Sequence, residues 1–231
     1  MSLHPAQFSD ELIDPICGLL PPGPGTLFDP MAGLGFKLAD IAHRLGREPF
    51  GCEIEPGFVR AAHHRVIHMD VCELPVALPQ LRFDAVVTSP PFANGMSDAF
   101  TSKEGSHRIT YIHRLRQHYG SGYQLDPRNM AGFSPRRSYG ALMNFMDALT
   151  EVWMAVTKML LVGGVFVVNT KNSVIKGEMF DFTLAVQRQL AGLGLVLTDE
   201  ITVPVPSMRY GANHSARAEH ETLSRFIRPR K

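Results

Sequence analysis

Residues Phe83–Phe92 read FDAVVTSPPF, and this stretch decides how the rest of the chain is interpreted. Its β-rich part, Ala85–Thr88, stops at two consecutive prolines, Pro90 and Pro91. Proline lacks a backbone donor and fixes φ, and the residue before a proline is pushed towards extended geometry. The pattern therefore predicts a strand that ends in a stiff loop carrying a hydroxyl, carbonyl groups and an aromatic ring. Ligands of open α/β sheets bind beyond the carboxyl ends of the strands.

A second strand and loop precede this stretch in the chain. Thr26–Asp29 is predicted to be a short strand, followed by the loop Asp29–Gly35, DPMAGLG, and by a helix to about Arg44. A glycine turn between a strand and a helix lets the backbone approach a ligand closely at the helix N-terminus. A dinucleotide-binding fold is the alternative interpretation, but the Asp-Pro opening fits it poorly.

The segment after this helix continues the alternation of strands and helices. A strand over Pro49–Cys52 ends at Glu53, and an acidic residue at this place can accept hydrogen bonds from both ribose hydroxyls of a nucleoside. Glu55 is predicted to be a solvated charge, followed by a helix over Phe58–Val66. Asp70 ends a third strand, and it either accepts a hydrogen bond from an adenine amino group or caps a helix.

The other elements are predicted from the spacing of their apolar residues. Helices are expected at Ile13–Leu20, Asn144–Leu161 and Phe180–Leu193, and strands at Val66–Val71, Val165–Asn169, Leu195–Val203 and Glu221–Ile227. The adjacent Gly163 and Gly164 are expected to end the long helix. The chain is thus expected to be a single α/β domain over residues 1–231, with residues 93–140 as an insertion.

The inserted segment differs from the rest of the chain in charge. Seven basic and two acidic residues lie between Thr101 and Tyr139, against 16 basic and 20 acidic residues elsewhere. Tyrosines and a phenylalanine are interleaved with the basic residues. Because Lys and Arg neutralise phosphates while aromatic rings stack on bases, the segment is a candidate nucleic-acid contact. The alternative is a long solvated loop.

Composition narrows the class of protein. The chain is 45% hydrophobic and carries a net charge of +1, as expected for an ordinary globular protein. Cys17, Cys52 and Cys72 form no CxxC pair, which favours a reducing, cytoplasmic compartment and argues against zinc. No leader or long apolar span is evident, so we expect neither secretion nor membrane insertion.

Several short motifs together resemble one enzyme family. SPPF at Ser89–Phe92 is similar to the [DNS]-P-P-[YFW] motif of DNA amino-methyltransferases, which use S-adenosylmethionine. DPMAGLG and the GCEIEP run at Gly51–Pro56 resemble the cofactor motifs of this family, although Met31 and the Phe36–Lys37 pair depart from its usual loop. Here the cofactor motifs precede the catalytic motif, whereas SPPF comes first in the most similar group.

The resemblance implies a Rossmann-like class I methyltransferase fold, with a mostly parallel seven-stranded sheet, helices on both faces and one antiparallel edge strand. It also implies site residues. The catalytic set is Ser89, Pro90, Pro91 and Phe92; the cofactor set is His4, Phe8, Asp29, Pro30, Met31, Ala32, Gly33, Gly35, Glu53, Ile54, Asp70 and Val71; and the nucleic-acid set is Lys103, Arg108, Arg114, Arg116, Arg136 and Arg137.

The implied reaction is methyl transfer to an exocyclic amino group of a DNA base. Cytosine N4 is favoured and adenine N6 comes next. The Ser89 side chain and the Pro90 carbonyl would accept the N–H bonds of the amine, while Phe92 would stack on the flipped base. No metal is needed, and a restriction nuclease is a possible partner. The alternatives are an RNA amino-methyltransferase and a non-enzymatic or small-molecule-binding relative.

Overall fold

A mostly parallel seven-stranded sheet forms the centre of the protein. The structure is a computed structural model that describes residues 8–93, 126, 128–130, 138–175, 178–204 and 220–230. The strands of the sheet are β1 (Thr26–Asp29), β2 (Glu48–Glu53), β3 (Val66–His68), β4 (Phe83–Thr88), β5 (Leu160–Thr170), β8 (Val196–Pro204) and β9 (His220–Ile227). Their order is β3-β2-β1-β4-β5-β9-β8. A separate hairpin joins β6 (Ser173–Ile175) to β7 (Glu178–Phe180).

The antiparallel part of the sheet lies at one edge. Strands β1 to β5 are mutually parallel, whereas β9 runs antiparallel to both β5 and β8. The predicted fold class is therefore confirmed. The last two strands, β8 and β9, were also predicted correctly, and no end differs from its predicted position by more than one residue.

Helices cover both faces of the sheet. They are α1 (Asp10–Leu19), α2 (Phe36–Leu45), α3 (Pro56–Val59), α4 (Leu74–Ala77), α5 (Tyr139–Met159) and α6 (Phe182–Gly192). Neighbouring strand residues point to opposite faces. Leu27 of β1 accordingly packs with α1 and α2, and Phe28 packs with α5 and α6. The result is a three-layer sandwich with two apolar cores.

The long helix α5 contributes more buried residues than any other element to the core that contains Phe28. Its apolar stripe is buried as the spacing predicted, and Trp153 is fully buried with its ring Nε1 donating to Gln189 Oε1 at 3.1 Å. The predicted stop at the two glycines is wrong. The helix ends at Met159 and β5 begins at Leu160, so Gly163, at φ +81°, lies inside the strand.

The region after β2 also differs from its prediction. The expected helix over Phe58–Val66 is limited to one turn, Pro56–Val59, after which the chain turns into β3. The third strand covers only Val66–His68, since Val71–Glu73 forms a short 3-10 turn. This short strand lies at one edge of the sheet and pairs with β2 alone.

The topology creates a crevice beside β1. Strands β2 and β3 lie on one side of β1, while β4 and β5 lie on the other. The chain adds β2 and β3 outward from one side of β1, and then crosses to the other side of β1 to form β4. Ligands of open α/β sheets bind at such a switch point, beyond the carboxyl ends of the strands. The glycine loop follows β1 there, and the SPPF loop follows β4.

Candidate functional site

A narrow, open cleft lies at this switch point. It brings residues from the glycine loop, the SPPF loop and the N-terminal segment together. Its lining consists of Phe8, Asp29, Met31, Ala32, Gly35, Phe36, Lys37, Leu38 and Ser89. Six of these nine were proposed as site residues from sequence, and they come from segments up to 81 positions apart in the chain. Such convergence of polar and apolar groups at one crevice is typical of a ligand site.

The glycine loop folds tightly over the end of β2. Its Ala32 N–H donates to the Cys52 carbonyl at 2.9 Å, and a Cβ on Gly51 would lie 2.5 Å from that of Ala32. Gly33 adopts φ +56°, and its N–H donates to Glu53 Oε2 at 2.9 Å. The loop is thereby held against β2, and Gly35, which immediately precedes α2, lines the cleft.

Gly35 provides a test of this close approach. It adopts φ +70°, and a Cβ there would lie 2.3 Å from Val66 Cγ2. A left-handed φ costs other residues about 1–2 kcal/mol, and the overlap adds about 1–3 kcal/mol. We expect Gly35→Ala to lower the free energy of unfolding in urea by about 2–5 kcal/mol. Gly46→Ala is the matched control, since Gly46 has φ +69° and open space around it; an equal loss in both variants would contradict the close packing.

Two buried carboxyl groups flank the loop. Asp29 is 4% exposed and accepts a hydrogen bond from the Met31 N–H at 3.0 Å. Glu53 is 8% exposed and accepts from the N–H groups of Gly33 and Glu55. Burial raises the pKa of both groups to about 7, and the backbone donors offset only part of that shift. Both carboxyls therefore change charge near neutral pH.

These pKa values make stability depend on pH. A carboxyl whose pKa is raised on folding binds its proton more tightly in the native state, so its ionisation destabilises the native state as pH rises from about 4 to 7. For Asp29 the loss reaches about 4 kcal/mol by pH 8, since its pKa rises from 3.8 to about 7. We expect Asp29→Asn to flatten the decline in unfolding free energy between pH 5 and 8. The exposed Asp14→Asn should leave it unchanged, and a wild-type slope in Asp29→Asn would contradict the assignment.

Glu55 is not the solvated charge that was predicted. Its side chain is 1% exposed, and its Oε1 accepts from the Asp126 N–H at 2.8 Å and from Asn129 Nδ2 at 2.5 Å. The far end of the inserted segment is thus attached to the turn that follows Glu53. Burial was missed because both partners lie more than 70 residues away in the sequence.

Asp70 lies at the end of the short strand β3 and caps the turn that follows. Its Oδ1 accepts from the Cys72 N–H at 2.9 Å, so the capping alternative describes the structure. Its Oδ2 lies 3.4 Å from Arg128 Nη1, and the same guanidinium contacts Glu73 through Nη1 and Asp126 through Nη2. One of the seven basic residues of the inserted segment is therefore neutralised within the protein. Of the other two residues that were expected to contact the adenine, Ile54 is half-buried and Val71 is buried.

The SPPF loop leaves β4 beside β5. Ser89 and Pro91 are half-buried and Pro90 is buried, and Ser89 contributes to the cleft that also contains Asp29. Phe92 is half-buried and packs against the core formed with α5 and α6. One part of the ring thus lies in the core, and another part remains accessible.

An asparagine that sequence reasoning missed contacts Ser89. Asn169, near the end of β5, is 1% exposed and its Nδ2 lies 3.2 Å from Ser89 Oγ. The same nitrogen donates to Glu221 Oε2 at 2.6 Å. The sequence did carry one signal for this contact. Asn169 is a polar residue at the end of the apolar run Val165–Val168, where a side chain can reach the ligand crevice.

No cysteine has the character of a nucleophile. All three are free thiols within the described part of the chain. Burial raises the pKa of Cys17 and Cys52, and it raises the pKa of Cys72 to about 12 with a further contribution from Asp70. Thiolates, not thiols, are the attacking species in cysteine chemistry. The structure thus offers no activated cysteine for attack on a pyrimidine ring.

Some proposed residues fall outside the part of the chain that the structure describes. These are His4 and the basic residues Lys103, Arg108, Arg114, Arg116, Arg136 and Arg137. Within residues 8–93 and the other described ranges, no three His, Cys, Asp or Glu side chains are grouped so that they could hold a metal ion. The helices in those ranges are too short or too polar to cross a membrane.

The architecture matches solved structures although the sequence does not. No family model matches the chain, and no curated protein sequence does either. TrmN from Thermus thermophilus is 11% identical with a TM-score of 0.54, covering 94% of this chain and 47% of that one. NSun6 from Pyrococcus horikoshii, solved with the S-adenosylmethionine analogue SFG, is 13% identical with a TM-score of 0.55, covering 96% and 52%.

A third structure shows how broad this fold is. The [4+2]-cyclase SpnF is 14% identical with a TM-score of 0.56, covering 96% of this chain and 82% of that one. The chain spans about half the length of TrmN and of NSun6. At such low identities the similarity establishes architecture and leaves the reaction to the site residues. The protein has the Rossmann-like fold of class I methyltransferases.

Proposed function

We propose that the protein is an S-adenosylmethionine-dependent methyltransferase that modifies the exocyclic amino group of a DNA base. Cytosine N4 is the favoured acceptor and adenine N6 the second. The observation that carries the proposal is the meeting of Asp29 and Ser89 in one cleft, at the carboxyl ends of adjacent strands. A glycine loop for a nucleoside cofactor and a Ser-Pro-Pro-Phe loop for an amine would thus face the same space.

The residues around the glycine loop fit this cofactor. Each Glu53 oxygen accepts one backbone N–H and retains lone-pair capacity for a ribose hydroxyl. Asp29 is a buried carboxyl beside the loop, and an ammonium or sulfonium cation would favour its ionised form. Phe8 and Met31 supply apolar surface to the cleft. Ile54 and Val71 are assigned to the adenine end, together with Asp70, whose Oδ1 caps the following turn while its Oδ2 takes no part in the cap.

The catalytic residues act on the amine. Bound S-adenosylmethionine would supply an electrophilic methyl group on a sulfonium: the N–C bond would form as the C–S bond breaks, the thioether S-adenosylhomocysteine would leave, and the surplus proton of the amine would pass to solvent. Ser89 Oγ and the Pro90 carbonyl accept the two N–H bonds, which orients the nitrogen lone pair for attack. Pro91 stiffens the loop, and the accessible part of the Phe92 ring stacks on the base. Direct transfer needs no covalent intermediate, in agreement with the raised pKa of the cysteine thiols.

The basic residues of the inserted segment are assigned to nucleic-acid phosphates. We expect the double variant Arg136→Ala/Arg137→Ala to weaken binding to duplex DNA and to lower the salt slope by about one unit per lost phosphate contact. Fluorescence anisotropy at several salt concentrations measures both quantities. Arg60→Ala/Arg82→Ala is the matched control, since these exposed arginines change the net charge equally from outside the segment. Identical behaviour of the two double variants would make the segment a solvated loop.

The second candidate function is methylation of an RNA base amine at the same site. The glycine loop and the SPPF loop are equally suited to it, because Ser89 and Pro90 would accept N–H bonds from any exocyclic amine. Incubation with S-adenosylmethionine labelled on its methyl group, and with duplex DNA or structured RNA in parallel, separates the two. We expect label in DNA; label in RNA alone would establish the second candidate, and label in neither would overturn the proposed function.

A further inference from the structure

A buried amide contacts the Ser89 hydroxyl from the neighbouring strand. Asn169 Nδ2 lies 3.2 Å from Ser89 Oγ and 2.6 Å from Glu221 Oε2. Ser89 and Asn169 are 80 positions apart, but β4 and β5 pair in parallel up to Thr88 and Val168. The residue that follows each of these paired positions is therefore adjacent to its counterpart. Glu221 reaches the same place from β9, on the other side of β5.

The contact with Glu221 determines which side of the amide faces Ser89. A carboxylate accepts hydrogen bonds, so the amide nitrogen and not its oxygen must lie beside it. The second hydrogen of Nδ2 is then available to Ser89. Asn169 Oδ1 is buried and lacks a hydrogen-bond partner within the described residues. Reversal of the amide would place its carbonyl oxygen against the Glu221 carboxylate, which is unfavourable. The negative charge of Glu221 is balanced by Lys171, whose Nζ lies 3.8 Å from Glu221 Oε1.

We infer that Asn169 is a positioning residue for Ser89, held in turn by Glu221; this inference rests on the proposed function. An exposed serine hydroxyl samples three rotamers, and only some of them direct Oγ at a bound amine. The N–H of Asn169 occupies one lone pair of Oγ and fixes its position. One lone pair remains for the substrate, and the second N–H of the amine is left to the Pro90 carbonyl. Asn169 itself touches no reacting atom.

A double-mutant cycle tests this assignment. Asn169→Leu removes both amide groups at similar volume, and we expect it to slow single-turnover methyl transfer by about 10- to 100-fold. In a Ser89→Ala background the same change should alter the rate by about twofold at most, because there is no hydroxyl left to position. A purely structural role would give the same loss in both backgrounds. Cofactor affinity, measured by calorimetry, should stay near the wild-type value.

Thr170→Val is the matched control. Thr170 follows Asn169 on β5, is equally buried, and bonds Thr183 Oγ1 and the Thr222 carbonyl instead of Ser89. We expect it to retain the wild-type transfer rate even if it lowers the unfolding free energy. Glu221→Gln should give an intermediate loss of rate, since a neutral amide no longer fixes the orientation of Asn169.

The outcomes separate this inference from the proposed function. An active wild-type protein with an equally active Asn169→Leu variant, or an undiminished effect in the Ser89→Ala background, would overturn the positioning role alone. A folded wild-type protein that transfers no methyl group to DNA or RNA would overturn the proposed function and the positioning role with it. A loss of cofactor affinity in Asn169→Leu that accounts for the loss of rate would also overturn the inference.

Discussion

Replacement of Ser89 by alanine is expected to slow methyl transfer by about 30- to 1,000-fold while cofactor affinity stays nearly unchanged. Ser89 lies half-buried in the cleft at the end of β4, and Asn169 donates to its hydroxyl. Loss of one preorganised hydrogen-bonding group raises a barrier by on the order of 2–4 kcal/mol in other enzymes. Single-turnover transfer of a labelled methyl group measures the rate, and titration calorimetry measures cofactor affinity.

Ser89→Asn is the matched variant for this experiment. Its side-chain carbonyl can still accept an N–H bond from the amine, so it should retain much more activity than Ser89→Ala. An alanine variant as active as the wild type would remove Ser89 from the mechanism. Equal losses in both variants would show that the volume of the side chain matters more than its ability to accept a hydrogen bond.

Glu53→Gln is expected to weaken cofactor binding by about 10- to 100-fold. Glu53 accepts N–H groups of Gly33 and Glu55, one on each carboxylate oxygen. A glutamine has a single acceptor oxygen, so its amide nitrogen would face one of these donors and leave a buried N–H without a partner. The unpaired N–H destabilises the loop in the free and the bound protein alike, whereas the acceptor lost by the ribose weakens binding directly, by about 1–3 kcal/mol. Titration calorimetry with S-adenosylmethionine gives the affinity directly.

Glu48→Gln is the control on the same strand. Glu48 begins β2, its side chain is 71% exposed, and it pairs with Arg65 at the surface. Exposed ion pairs contribute little, so this variant should bind the cofactor as the wild type does. Wild-type affinity in Glu53→Gln would contradict the role of Glu53 on the ribose.

The elements that position the site were predictable from local sequence. Strand β1 has the predicted bounds, and β4 contains the predicted run, because glycine or proline interrupts each apolar segment. The boundary between α5 and β5 was not predictable from apolar spacing, since the apolar run Leu160–Val162 suits either a helix or a strand. Pairing with β4 and β9 decides in favour of the strand.

The polar contacts of the site depend on distant residues and were missed for that reason. Glu55 follows a strand and precedes a proline, which is typical of an exposed helix start, yet Asp126 and Asn129 bury it. Asn169 reads as the end of a buried strand, and only the sheet order places it beside Ser89. Sequence motifs thus located the cleft, whereas the groups that orient its side chains required the tertiary structure.

The methylated nucleoside is the most direct test of the central claim. The protein is incubated with labelled S-adenosylmethionine and duplex DNA, the DNA is digested to nucleosides, and the label is located by mass spectrometry. We expect N4-methylcytosine, or N6-methyladenine as the second possibility, because Ser89 and Pro90 are suited to accept the two N–H bonds of an exocyclic amine. Label in 5-methylcytosine would contradict the account, since that product requires a cysteine nucleophile.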